Sequence, residues 1–240
     1  MHNAGFASLG LDWTYELLET APADLPAALA RLREADVAGA NVTIPHKVAV
    51  IDLLDSVDPQ ALRAGAVNTI ANSQGRLVGS NTDIAGIQAA LAEVGIEPRG
   101  AGVVILGAGG SARAAAIALE GAHLTFVVRR PDEVDMPGRV VAWSDPSWPA
   151  KVRSADLLVN ATPLGRRDEM PLRPNALPRG GAVIDLVYVR GGTPLVRKAR
   201  SLGMRAADGW GILLAQGARS FEIWTGKSAP LEAMRQTLPL

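Results

Sequence analysis

Gly102-Val103-Val104-Ile105-Leu106, followed at once by Gly107-Ala108-Gly109-Gly110-Ser111-Ala112, decides how the rest of the chain is read. The first five residues form a continuous apolar run, the pattern of a strand buried on both faces of a parallel sheet. The Ala-rich stretch Ala112–Leu119 beyond has helical texture. A glycine-rich turn between strand and helix lets the backbone approach a pyrophosphate, and the helix N-terminus adds unpaired N–H groups and a positive dipole end. The same glycines could simply close a tight corner with nothing bound. The strand before and the helix after favour a ligand, so residues Gly107, Ala108, Gly109, Gly110, Ser111 and Ala112 are candidates for holding a dinucleotide. Gly110 departs from the commonest glycine spacing, but Ala112 still lets helix and strand pack closely.

Working toward the C-terminus, short strands are expected at Leu124–Val128, Arg139–Trp143, Asp156–Asn160, Ala182–Asp185 and Met204–Ala206, with a helix at Thr193–Leu202. Strands alternating with helices mean a doubly wound parallel sheet. About 20 residues past the glycine turn, an enzyme using NAD places Asp or Glu against the ribose 2′-hydroxyl, whereas one using NADP offers Arg to the 2′-phosphate. Here the second strand ends in Arg129-Arg130, with Asp132 and Glu133 farther along. A solvated basic turn is the plain alternative; two adjacent arginines at this corner point to NADP.

Toward the N-terminus the texture differs. Ile84–Val94 reads as a helix closed by Gly95. Before it come a helical Asn3–Leu9, a strand at Trp13–Leu18, a helical Asp24–Ala35 and a strand at Gly39–Thr43 that ends before Pro45. Val48–Leu54 has helical spacing, and Val67–Ala71 with Arg76–Ser80 reads as a hairpin across Asn72-Ser73-Gln74-Gly75. Two helical segments, Gly211–Trp224 and Leu231–Leu238, end the chain. The expected fold is therefore α/β with two domains. A Rossmann-like, doubly wound NADP-binding domain at 85–208 interrupts an α/β substrate domain, made from residues 1–84 and from C-terminal helices at 209–240.

Composition narrows the functional classes. The 240 residues are 48% hydrophobic and 20% charged, and 24 basic residues balance 24 acidic ones. A neutral chain has no electrostatic footprint for nucleic acid or for an anionic membrane surface. Cysteine is absent, which excludes disulfides and thiolate metal sites. No apolar run reaches the length of a membrane span, and no basic region followed by a long apolar stretch opens the chain. The expected address is cytoplasmic, the expected partner a small molecule, and the expected assembly a monomer or homodimer. With three histidines, neither a Ser-His-Asp arrangement nor metal-ligand spacing is evident, and no metal is expected. The five tryptophans are scattered and read as packing.

Asn41-Val42-Thr43-Ile44-Pro45-His46-Lys47 holds a lysine just past a strand end, placed to exchange a proton beside a carbonyl that receives hydride. Alone, Lys47 reads as a solvated surface lysine. Its company changes that: Asn68-Thr69 and Asn81-Thr82-Asp83 also sit at strand ends, and converging amides and carboxylates can read a set of hydroxyls. Singly, each Asn reads as a turn or cap residue and Asp83 as an N-cap. His46 reads as structural, and Gln216 as a solvated helix residue.

These pieces, with Met1-His2-Asn3, Gly65-Ala66-Val67-Asn68-Thr69, Asn160-Ala161-Thr162-Pro163-Leu164-Gly165, Asp185-Leu186-Val187-Tyr188 and Gly209 through Gln216, occur in one order, and the chain resembles the shikimate dehydrogenase family over nearly its whole length. The resemblance implies reduction of 3-dehydroshikimate to shikimate with NADPH, within aromatic amino-acid biosynthesis. It implies Lys47 as the catalytic lysine with Asp83 as partner, and Thr43, Asn68, Tyr188 and Gln216 around the substrate, with Asn41 a weaker candidate. Thr162 and Gly209 fall to the cofactor side, and Arg129 or Arg130 to the 2′-phosphate. A quinate/shikimate-type dehydrogenase and a weakly catalytic NADP-binding regulatory paralogue are the alternatives. Two departures stand out. The family's Ser-x-Ser segment and its strand, expected before the Met-His-Asn, are not in this sequence: either its first residue lies downstream of the real start, or the hold on the substrate carboxylate is weakened. The helix expected after the arginines is replaced by the short segment Pro131–Gly138.

Overall fold

The computed structural model describes residues 1–239. The chain forms α1 (His2–Ser8), α2 (Leu25–Arg31), β1 (Gly39–Asn41), α3 (His46–Ala49), β2 (Ser56–Val57), α4 (Pro59–Ala64), β3 (Thr69–Ser73), β4 (Arg76–Ser80) and α5 (Asp83–Glu93). It continues through β5 (Gly102–Leu106), α6 (Gly110–Ala118), β6 (His123–Val128), β7 (Arg139–Ala142), α7 (Trp148–Arg153), β8 (Leu157–Asn160), β9 (Ala182–Asp185), α8 (Pro194–Ser201), β10 (Ala206–Ala207), α9 (Gly209–Thr225) and α10 (Leu231–Arg235). Two compact units result: residues Met1–Ala85 with Leu214–Pro239, and residues Gly86–Leu213. None of the described helices is long and apolar enough to cross a membrane.

The first unit is built on a sheet of order β1-β3-β4-β2, with β1–β3 and β3–β4 antiparallel and β2–β4 parallel. Leu25, Leu29, Val50, Val67, Ile70 and Leu77 fill one core. Phe6, Leu214, Phe221 and Met234 fill a second, where the rings of Phe6 and Phe221 stack at 5.2 Å. The β3–β4 ladder runs to Ser73 opposite Arg76, so the turn is the two residues Gln74-Gly75, both at positive φ (54° and 82°), and not the four-residue connection that composition suggested. Paired positive φ values give the mirror-image turn whose twist matches a hairpin.

Residues Trp13–Leu18, expected as a strand, form none. The alternation is present, but a strand needs a neighbour for its N–H and C=O groups. Here the Asn3 side chain is that neighbour, accepting from Tyr15 N at 2.6 Å and donating to Tyr15 O at 3.0 Å. The Trp13 and Tyr15 rings join an aromatic group with His2, Phe6 and Trp224. The helix expected over 24–35 stops at Arg31. Conversely, α4 and α7 form where none was expected, each with proline in its first turn, where the missing N–H costs nothing. Asp58 caps α4 by accepting from Gln60 N at 2.7 Å.

The second unit is a six-stranded sheet of order β10-β9-β8-β5-β6-β7, parallel at every pair. β5 lies at its middle, and the order reverses there, so the carboxyl end of β5 is the position where open α/β sheets bind ligands. β8 and β9 are buried along their whole length. Between β6 and β7 there is only one 3-10 turn, Pro131–Glu133, as the composition of that stretch suggested.

Candidate functional site

In the first unit, β3 and β4 end side by side and α3 packs across their entry. Val67 N donates to Lys47 O at 2.8 Å, Asn68 N to Ser80 O at 3.1 Å and Val42 N to Asn68 O at 2.8 Å. These backbone bonds bring Lys47, Asn68 and Asp83 together from three segments. Lys47 Nζ donates to Asp83 Oδ2 at 2.7 Å, with side chains only 22% and 12% exposed. Asn68 Nδ2 donates to the other oxygen, Asp83 Oδ1, at 2.8 Å. The amide cannot flip without loss, because Thr82 N donates to Asn68 Oδ1 at 2.7 Å and a backbone N–H has no acceptor role. Asn81 Oδ1 accepts from Asp83 N at 3.1 Å, which fixes the start of α5. The result is an ammonium held by a carboxylate whose two oxygens are both engaged, in a half-dry setting where such a pair is worth more than at the surface.

The other candidates in this unit divide. Thr43 is exposed on the loop before α3 and Gln216 half-buried in α9; neither side chain makes a hydrogen bond among the described residues. Asn41 is fully engaged: its Nδ2 reaches Asn68 O, Thr69 Oγ1 and Ser220 Oγ at 3.0–3.2 Å, and its Oδ1 accepts from the Tyr15 hydroxyl at 3.0 Å. Asn68 has likewise committed both amide hydrogens, to Asp83 and to Thr82 Oγ1. His46 Nε2 lies 2.8 Å from Thr20 O, a tie between the start of α3 and the loop before α2. Sequence reasoning missed Ser220, which is wholly buried and touches Asn41, Thr69 and Thr82. A serine within a helix carries no signal in sequence, and these partners lie 138 to 179 residues away.

His2, beneath the aromatic group, is pushed down to about 4 by burial, with the chain's own amino group adding to it. Its Nδ1 has no hydrogen-bond partner among the described residues. Burial raises the Tyr15 hydroxyl.

In the second unit, Gly107 takes φ +105°, and a Cβ there would meet Ala161 O at 3.0 Å, so glycine is required. Gly109 caps α6 without any side-chain hydrogen bond, and a Cβ on it would point into open space. The first N–H groups of α6 are thus presented outward, while Ala112 is buried beneath. Thr162 sits against this loop: its methyl carbon would lie 3.3 Å from a Cβ on Gly107, and its hydroxyl donates to Asn160 Oδ1 at 2.7 Å. Asn160 Nδ2 bridges to Leu164 O and Asp185 Oδ1. Asp185 also accepts from Thr193 Oγ1 at 2.6 Å and Val187 N at 3.1 Å. Burial outweighs these three donors and lifts the Asp185 carboxyl to about 6.

The two arginines at the end of β6 part company. Arg130 pairs with Glu133 at 2.7 Å, whereas Arg129 is exposed and has no ion pair among the described residues. Tyr188 is 47% exposed, its ring packed on Trp210 at 5.1 Å and its hydroxyl without a hydrogen bond among the described residues. Gly209 opens α9 hard against backbone: a Cβ would meet Val187 C, Val187 O and Leu186 O at 2.6–2.8 Å. No group of His, Cys, Asp or Glu among the described residues could hold a metal ion.

A parallel sheet with an open glycine loop at the end of its central strand, carried with a unit that presents a lysine–carboxylate pair, defines a two-unit nicotinamide-nucleotide oxidoreductase. The comparisons narrow this. Residues 1–70 match the shikimate dehydrogenase substrate binding domain and residues 209–238 the shikimate 5′-dehydrogenase C-terminal domain. A shikimate dehydrogenase (NADP+) of Moorella thermoacetica is 43% identical over 99% of this chain and 86% of that relative. The crystal structure of shikimate 5-dehydrogenase from Thermus thermophilus in complex with NADP(H) and shikimate superposes with a TM-score of 0.88 at 38% identity, over 98% of this chain and 90% of that one. The ligand-free 5-ketofructose reductase of a Gluconobacter strain gives 0.86 at 35% identity, over 98% and 90%. The chain belongs to the shikimate dehydrogenase family.

Proposed function

We propose that the chain interconverts 3-dehydroshikimate and shikimate with NADPH and NADP+. The observation that carries the reading is the Lys47–Asp83 pair, locked by Asn68 at 2.7 and 2.8 Å in the family's substrate-binding unit. In the reducing direction Lys47 Nζ delivers a proton to the ring oxygen as it gains charge, and Asp83 holds and aims the lysine. In the oxidising direction the same nitrogen takes the hydroxyl proton. Positioned proton transfer of this kind contributes roughly 10²–10⁴ in rate. Thr43 and Gln216, with uncommitted side chains, contact the substrate hydroxyls; the Tyr188 hydroxyl is a further contact. Asn68 acts first on Asp83, and reaches substrate only by releasing one of its present bonds.

The second unit fits NADP. The open N–H groups at Gly109–Ser111 suit a pyrophosphate, the unpaired Arg129 suits a 2′-phosphate, and Thr162 and Gly209 line the nucleotide. When bound, NADP supplies the nicotinamide carbon that donates or accepts hydride. The protein works as a soluble catalyst on small molecules in the cytoplasm.

The likeness to 5-ketofructose reductase supports a second reading, a reductase of sugar-like ketones. A substrate panel separates them: NADPH formation at 340 nm with shikimate or quinate, and NADPH consumption with 3-dehydroshikimate or 5-ketofructose. The proposal expects kcat/KM for the shikimate pair to exceed the others at least about tenfold. A preference for quinate or 5-ketofructose overturns it.

A further inference from the structure

Three hydroxyls meet in the interior of the first unit: Ser220 of α9, Thr69 of β3 and Thr82 before α5, with contacts of 2.9, 3.1 and 3.2 Å among them and exposures of 0–2%. From one side the group is fed only by donors. The Tyr15 hydroxyl donates to Asn41 Oδ1 at 3.0 Å, and Asn41 Nδ2 to Ser220 Oγ at 3.0 Å. On the other side Thr69 Oγ1 donates to Asn68 Oδ1 at 3.1 Å, while Asn68 Nδ2 donates back to Thr82 Oγ1 at 3.1 Å. Asn68 Nδ2 then donates to Asp83 Oδ1 at 2.8 Å. With the Ser220 proton given to Thr69 Oγ1, a head-to-tail chain runs Tyr15, Asn41, Ser220, Thr69, Asn68, Asp83, ending on the carboxylate paired with Lys47.

We propose that Ser220 is a positioning residue for the Lys47–Asp83 pair, acting through Thr69 and Asn68; the inference rests on the dehydrogenase reading above. Hydrogen bonds in series polarise one another, so each donation into Asn68 Oδ1 strengthens the bond its Nδ2 makes to the carboxylate. Ser220 is the only member of the chain that α9 contributes. Its hydroxyl has one proton and three acceptors in reach, Thr69 Oγ1 at 2.9 Å, Gln216 O at 3.1 Å and Thr82 Oγ1 at 3.2 Å, and the shortest of these contacts is the one along the chain. Among the described residues no charged group other than Lys47 is hydrogen-bonded to Asp83, which leaves these neutral donors to fix it.

The test compares Ser220→Ala with the wild-type chain in shikimate oxidation. Loss of one or two hydrogen bonds in series lowers kcat roughly threefold to tenfold, with the KM for NADP+ changed less than about twofold. In an Asp83→Asn background the same substitution has no further effect, because the chain no longer ends on a charge. Thr225→Val removes a like hydroxyl-to-carbonyl bond, 2.8 Å to Phe221 O, from the same helix outside the chain and leaves kcat unchanged. A Ser220→Ala loss of equal size in both backgrounds marks mere helix packing and overturns the inference, as does an unchanged kcat. Thr69→Val, which preserves shape, carries the same expectations should Ser220→Ala not fold. Exchange of the Asn68 side-chain amide protons, followed by NMR, decides the matter without turnover. Exchange at least about fivefold faster in Ser220→Ala supports the chain, and unchanged exchange refutes it even if the wild-type protein prefers another substrate.

Discussion

Arg129 and Arg130 are neighbours in sequence with unequal prospects, and the structure ranks them. A charge-assisted contact from arginine to a phosphate is worth about 1.5–3 kcal/mol, or roughly tenfold to 150-fold in affinity. Arg129 has no ion pair to surrender, so Arg129→Ala should forfeit that whole amount. Arg130 already holds Glu133 at 2.7 Å. That pair is exposed and worth at most about 1 kcal/mol, yet to serve a phosphate Arg130 must break it and leave an unpaired carboxylate beside an anion. Arg130→Ala should therefore cost less than about fivefold, and Glu133→Gln, which frees Arg130, should tighten NADP+ by up to about fivefold. Titration of intrinsic fluorescence with NADP+ and NAD+ reads all three variants, and NAD+ should change by less than about twofold throughout. Equal losses in the two Ala variants, or equal losses for the two nucleotides, would refute the assignment.

Gly209→Ala should lower stability by roughly 1–3 kcal/mol, since a methyl cannot fit 2.6–2.8 Å from the Leu186–Val187 backbone. That is a fall of roughly 2–12 °C in Tm for a chain of this size, and an unchanged melt denies the close approach. Two buried titrations should act with opposite sign. His2, held down at about 4, is neutral in the folded state while the unfolded chain binds a proton below about 6.5, so its contribution is lost as pH falls from about 6.5 to 4. Asp185, raised to about 6, keeps its proton folded after the unfolded chain has released it near 3.8, so stability falls as pH rises from about 4 to 6. Hydrogen exchange at pH 5 against pH 7 should show the first unit losing, relative to the second, on the order of 1–3 kcal/mol of protection at 1.36 kcal/mol per pKa unit. Uniform change across both units contradicts these assignments. His2→Phe should remove the acid-side loss in the first unit; a variant as acid-sensitive as its parent speaks against His2 as the source.

How much was legible depended on how local the physics was. The β5 strand, its glycine turn and α6 were readable because a doubly buried strand, a positive-φ corner and an Ala-rich helix each leave their signature within a dozen residues. Trp13–Leu18 misled because alternation records which side chains are buried, not whether a backbone partner exists, and the Asn3 amide took that partner's place. α4 and α7 had no counterpart among the expected elements; each is only six residues long and carries its proline in the first turn. The pairing of Lys47 with Asp83 was expected only through family resemblance, since no spacing rule links residues 36 apart. Asn41 shows the limit of residue type as a guide. An amide near Lys47 looks like a ligand by residue type, and the structure shows its side chain hydrogen-bonded to Tyr15, Thr69 and Ser220.

Lys47 is the group proposed to move the proton. The most direct measurement follows NADPH formation from shikimate at saturating NADP+ for the wild-type chain and Lys47→Ala, with shikimate binding measured on both by calorimetry. The account predicts a kcat lower by roughly 10²–10⁴ and a shikimate Kd changed by less than about fivefold. A Lys47→Ala protein that turns over within about threefold of wild type, or one whose loss lies wholly in shikimate binding, would contradict it.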